Sequence, residues 1–85
     1  GIPLRMNAKK PYRGEAFVLI KKRKITFKNY YYLSKKNNLN QSAKNLYSLL
    51  RKIKKDGYKM IGVEKIPNIG IGRTINDRLK RASRY

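Results

Sequence analysis

Proton-transfer and metal chemistry have few carriers in this chain. Glu15, Asp56, Glu64 and Asp77 are its four acids, and it contains neither histidine nor cysteine. Nucleophilic triads and zinc-type ligand sets cannot be assembled from these residues, and a general acid/base pair would have to come from four scattered carboxylates or from shifted lysines. The spacing that most suggests chemistry is Gly70-Ile71-Gly72-Arg73, a glycine-hinged turn leading into a helical pattern. Free backbone N–H groups and the helix dipole favour an anion at such a turn, with Arg73 as the assisting cation. A dinucleotide fingerprint would want another small residue where Ile75 stands and an acid about 20 positions further on, and the chain offers neither. The glycines are therefore read first as shaping a turn while Ile71 and Ile75 pack inward, with an anion or nucleotide contact at Gly70, Gly72 and Arg73 as the sharper alternative.

The elements around that turn follow from periodicity. Leu39, Ala43, Leu46, Leu50 and Ile53 recur at helical spacing, with Tyr47 flanking the stripe and Lys44, Ser48, Arg51, Lys52 and Lys55 opposite it. Asn38 is suited to the N-cap, with Gln41 three residues on, and Gly57 to the left-handed C′ position, so the long helix is expected over about 39–56. A second, C-terminal helix is expected over about 73–84, burying Ile75, Leu79 and Ala82 and pairing Asp77 with Arg81. Ala16-Phe17-Val18-Leu19-Ile20 reads as a strand covered on both faces, and 25–33 and 58–63 as further strands. On a strand Tyr30 and Tyr32 share one face and Tyr31 takes the other, which favours packing over base stacking by all three. Strand, long helix and strand in succession make a β-α-β unit with parallel strands.

Residues 1–7 alternate apolar and polar, with Ile2, Leu4 and Met6 against Pro3, Arg5 and Asn7, as in an edge strand or docking arm. Residues 8–14 and 21–24 are too short for helical crossovers, so this arm is expected either outside the main sheet or in a mixed one. Residues 1–13 are accordingly assigned to a linker and docking arm and 14–85 to the domain proper. The run Lys21-Lys22-Arg23-Lys24 reads as a solvated loop, with a localisation tag or phosphate grip as the sharper reading.

The 85 residues carry a formal net charge of +19. Clustered cations neutralise phosphates, which points to nucleic acid, tRNA or ribosomal RNA among the candidates. Composition competes with that reading: Lys, Asn, Ile, Tyr and Phe, all encoded by A/T-rich codons, make up 41 of the 85 residues. The two readings separate on whether the cations converge on one face. Neither a membrane-spanning run nor a signal-peptide pattern is present, and the lack of cysteine suits a reducing compartment, so a cytoplasmic setting is expected.

Several segments in order carry a family likeness. Asn45-Leu46-Tyr47-Ser48-Leu49-Leu50-Arg51, Glu64-Lys65-Ile66-Pro67, Gly70-Ile71-Gly72 and Ile75-Asn76-Asp77-Arg78-Leu79-Lys80-Arg81-Ala82 resemble the C-terminal domain of two-domain L-threonylcarbamoyladenylate synthases. Pro3-Leu4-Arg5-Met6-Asn7-Ala8 and Gly14-Glu15-Ala16 extend the resemblance over nearly the whole chain. The likeness implies a small Rossmann-like α/β domain of three or four short strands, in a mixed or parallel sheet. It implies an N-terminal YrdC-type partner domain, absent from these residues, that makes threonylcarbamoyl-adenylate and pyrophosphate from L-threonine, bicarbonate and ATP for tRNA modification. It also implies no catalytic residue, cofactor or metal here, and a role in anchoring the interdomain linker through Leu4, Arg5 and Asn7 and gating the active site. An independent basic RNA-binding module is the alternative class.

Overall fold

A computed structural model describes residues 2–20, 22–34 and 38–82. Gly1, Lys21 of the cationic run and the 83–84 end of the expected C-terminal helix lie outside the described residues. Four strands and two helices follow one another as β1 (Leu4–Arg5), β2 (Ala16–Leu19), β3 (Tyr30–Tyr32), α1 (Leu39–Lys55), β4 (Ile61–Val63) and α2 (Ile71–Ala82). The sheet order is β1-β4-β2-β3, and every neighbouring pair is parallel. This is the small Rossmann-like α/β arrangement anticipated.

The order corrects the expectation for the arm. β1 lies in the sheet, and the sheet is parallel throughout. The short connections are accommodated because β4 inserts between β1 and β2, so residues 6–15 do not have to join adjacent strands. The connection from β2 to β3 does join neighbouring parallel strands, but its described residues 22–29 are irregular chain with bends and a turn, and two of them contact the sheet. Arg23 sits 5.4 Å over the Phe17 ring, and Phe27 meets the Tyr30 ring edge-on at 5.2 Å. Of the expected 25–33 strand only Tyr30–Tyr32 pairs, while Ile25 and Phe27 are 72% and 59% exposed on the crossing loop.

Both helices cover one face of the sheet. Ala16, Val18, Tyr31, Ile61 and Val63 point to that side and pack with Ala43, Leu46 and Ile53 of α1 and Ile75 and Leu79 of α2. Phe17 and Leu19, with Ala8 and the partly buried Tyr30 and Tyr32, form the second face under the loops. The alternation of the three tyrosines is thus realised: Tyr31 is in the helix-side core and its neighbours are opposite. Burial, followed by the 2.6 Å hydrogen bond that its hydroxyl donates to Asp56, raises the Tyr31 pKa.

Capping follows the chain's local chemistry. Asn38 Oδ1 accepts from the Gln41 N–H at 3.1 Å, but the reciprocal half of the box runs through Ser34, whose Oγ accepts the Asn38 N–H and donates to Gln41 Oε1. At the far end Gly57 adopts φ 95°, with Gly57 N–H donating to the Lys54 carbonyl and Tyr58 N–H to that of Ile53. That is a Schellman closure, and it draws Tyr58 into the cap so that β4 begins only at Ile61.

α2 starts at Ile71, two residues before the expected position, and Gly72 in its first turn packs where no side chain would fit. A Cβ there would collide with the Pro67 carbonyl oxygen and lie 3.1 Å from its carbon. The expected Asp77–Arg81 pair forms at 3.1 Å.

Candidate functional site

The densest polar constellation lies where the leading arm joins the sheet. β1 places Leu4 on the helix-side face beside Ile61, and therefore Arg5 on the other face beside Gly62. Glu15, just ahead of β2, reaches the same spot. Arg5 Nη2 donates to Glu15 Oε1 at 2.7 Å and Nε to Oε2 at 3.3 Å, a forked pair in which the carboxylate side chain is only 3% exposed and the guanidinium side chain 31%. A further Nη2 contact, 2.8 Å to the Lys10 carbonyl, ties the guanidinium to the loop, and its Cζ stands 3.7 Å over the Tyr12 ring. Tyr12 N–H donates to Glu15 Oε1 at 3.0 Å, so that oxygen holds two donors.

Gly62 makes room for this pair. A Cβ at that position would stand 2.6 Å from Glu15 Oε1 and 3.3 Å from Arg5 Nη2. Burial pushes the Glu15 carboxyl up, but the hydrogen bonds from Arg5 and from the Tyr12 N–H, with the guanidinium charge, outweigh it and hold the group below the usual carboxylate range. The Glu15 hydrogen bond in turn raises the Arg5 pKa. Glu15 is thus held ionised and enclosed beneath a cation, an arrangement that fixes backbone position rather than moving protons.

The arm's next turn is fixed as well. Asn7 takes φ 56°, the left-handed region that asparagine tolerates better than most residues, and Ala8 N–H then donates to the Val63 carbonyl at 2.8 Å. Of the three residues expected to dock the linker, Leu4 packs against the core, Arg5 forms the clamp and Asn7 turns the chain back across β4.

Beside the arm, on the helix side, an open groove of about 350 Å³ runs between β1 and the C-terminal half of α1. Ile2, Leu4 and Ile61 form its floor, Tyr47 and Leu50 one wall, and Ala82 of α2 closes one end, with Arg51 and Lys54 as its charged members. A second depression of about 340 Å³, lined by Ile2, Pro3, Gly57, Tyr58, Lys54 and Lys59, shares Ile2 and Lys54 with it.

The other proposed contact lies apart in sequence, in the first turn of α2. Gly70 has φ 55°, the Gly72 N–H donates to the Ile69 carbonyl at 3.0 Å and the Arg73 N–H to that of Gly70 at 3.2 Å. Two of the amides that an anion would use are therefore already turned toward protein oxygens.

Each carboxylate has an internal partner: Glu15 with Arg5, Glu64 with Arg23 at 2.7 Å, Asp77 with Arg81, and Asp56 with the Tyr31 hydroxyl. Arg23, read from sequence as part of a solvated cationic run, is one of these partners. The described cations lie on both sides of the sheet. Lys44, Arg51, Lys52 and Lys55 lie on α1, while Lys9, Lys10, Arg13, Lys22, Lys24 and Lys28 lie on the loops that cover the opposite face. They do not converge on one face. Among the described residues no group of His, Cys, Asp and Glu could hold a metal ion, and no helix is long and apolar enough to cross a membrane.

An all-parallel α/β domain, with both helices on one face and a leading arm bolted into its sheet edge, is the class that fold and site define. The chain belongs to the family described as the threonylcarbamoyl-AMP synthase C-terminal domain, whose model matches residues 4–84. That membership places the domain in the context of tRNA modification and implies an N-terminal catalytic domain in the full protein. No curated protein and no solved structure matches the chain significantly.

Sequence reasoning named Arg5 but missed Glu15 as its partner. The signal was present: a carboxylate abutting a fully apolar run is carried under cover with it, and a buried carboxylate requires a cation.

Proposed function

We propose that this domain is a non-catalytic accessory part of a threonylcarbamoyl-AMP synthase. It holds the segment that arrives from the catalytic domain and thereby sets how that segment covers the active site. The observation that carries this reading is the clamp. The first strand contributes only two residues, yet it is fixed by parallel pairing to β4 and by a forked ion pair whose carboxylate is buried. So short an edge strand would fray without that second attachment, and a frayed arm could not transmit position to an upstream segment. On this reading the nucleotide chemistry, using L-threonine, bicarbonate and ATP, resides in the N-terminal domain.

The test uses the full-length synthase with Arg5→Ala. The arm should become several-fold more susceptible to limited proteolysis, and pyrophosphate release from ATP should change in its KM for threonine or ATP, since a loosened covering segment alters access before it alters chemistry. Unchanged proteolysis would overturn the anchoring role, and increased proteolysis with unchanged kinetics would overturn the gating role.

A further inference from the structure

We infer that the apolar groove between β1 and α1 is the seat of the N-terminal catalytic domain of the same polypeptide, which places there an apolar side chain flanked by carboxylates. This inference rests on the accessory-domain reading and adds to it the surface and the chemistry of the contact. Three observations converge on it.

The first is position. In a C-terminal domain the chain leads back to its catalytic partner through Ile2, and Ile2 itself lines the groove and the depression beside it. Whatever lies upstream is thus tethered at the mouth of the groove. Eight residues line the groove, fewer than the roughly 20–30 a side of a stable interface between free proteins. A covalent tether changes that requirement, because it makes the contact intramolecular and fewer apolar contacts suffice.

The second observation is charge. Among the described residues, Arg51 and Lys54 are the charged groups that line the groove, and the four side-chain carboxylates are engaged by Arg5, Arg23, Arg81 or Tyr31. The field over the apolar floor is therefore positive and selects an acidic flank. It also disfavours a second copy of this chain, since each copy carries +19. The apolar floor of Ile2, Leu4 and Ile61 in turn offers nothing to a phosphate backbone.

The third is exposed apolar surface where burial would be favourable. Tyr47 is 49% exposed on the wall, and Leu50 and Leu4 are only partly buried although both pack against the core. β1 is moreover an edge strand, so its outer side has no strand neighbour.

The experiment places a photo-crosslinking phenylalanine analogue at position 47 of the full-length synthase, with the same probe at Ile25 on the opposite face as control. Crosslinked peptides are identified by mass spectrometry. The expected result is an intrachain link from position 47 to the catalytic domain, at an apolar residue with Asp or Glu within a few positions, and none from position 25. Reversing the rim with Arg51→Glu and Lys54→Glu should lower that yield roughly tenfold, and Arg51→Gln with Lys54→Gln should lower it less. All four are substitutions at exposed sites, and melting curves check that the domain stays folded. Links to a second copy, to co-purifying RNA or within residues 83–85, or a yield at position 47 no greater than at position 25, would overturn the inference. Loosening by Arg5→Ala without any link from position 47 would sink the groove contact while leaving the arm anchoring intact.

Discussion

Arg5→Ala should do more than weaken the domain: it should invert the way Glu15 responds to pH. Removing one partner of a buried ion pair costs about 3–5 kcal/mol when the remaining charge stays dry. Here the Arg5 side chain is 31% exposed, so its loss admits water, and the Tyr12 N–H still serves the carboxylate. A cost of about 2–3 kcal/mol at pH 7 follows. For a domain of this size that is a fall in Tm of roughly 10–20 °C. In the native protein the folded-state pKa of Glu15 is depressed. Its contribution is therefore present above the unfolded value, near 4.3, and disappears as pH falls through the folded one. Without the guanidinium, burial is the dominant influence and the folded pKa rises above the unfolded one. The carboxylate then penalises folding at neutral pH, and acidification relieves the penalty. The stability gap between native and variant should accordingly shrink steadily from about 2–3 kcal/mol at pH 7 as pH falls toward and through the depressed folded value. Urea unfolding followed by circular dichroism at several pH values measures the gap directly. A gap that stays constant from pH 7 to pH 3, or one under about 0.5 kcal/mol at pH 7, would refute the argument that a buried ionised Glu15 depends on Arg5.

Two further outcomes follow from the first turn of α2. Gly72→Ala would drive a methyl group into the Pro67 carbonyl, a backbone atom that cannot rotate away, and should cost about 2–4 kcal/mol; a melting temperature within a few degrees of the native value would show that the 66–70 segment yields instead. Titration with ATP or AMP should leave the Gly72 and Arg73 amide resonances unmoved, because both N–H groups already donate to carbonyls of the preceding residues; saturable shifts at these amides would establish the anion contact.

The helices were legible because each carries its own signals. Asn38, the 39–53 apolar stripe and Gly57 specify α1 locally, and the observed element ends within one residue of the expected limit. Tyr30–Tyr32 likewise declared its two faces through strand geometry alone. The strand limits were not legible, because propensity does not know the neighbours. Ile25 and Phe27 have β-forming side chains, yet the chain that carries them must cross from the end of β2 to the start of β3, and no partner strand is available along the way.

The arm was hidden for a different reason. Connection length argues against a parallel crossover only when the two strands are adjacent, and adjacency is decided by β4, some fifty residues later in the chain. Once β4 lies between β1 and β2, residues 6–15 need only turn across the face that Gly62 leaves open. That same gap admits Glu15 and Arg5. The clamp therefore depends on three stretches distant in sequence, and no local pattern records it. What the sequence does carry is a constraint: an acid beside a doubly covered strand calls for a cation, and the two such acids, Glu15 before β2 and Glu64 after β4, are each paired with an arginine. Arg5 occupies the position from which, at Gly62 of the neighbouring strand, no side chain intervenes.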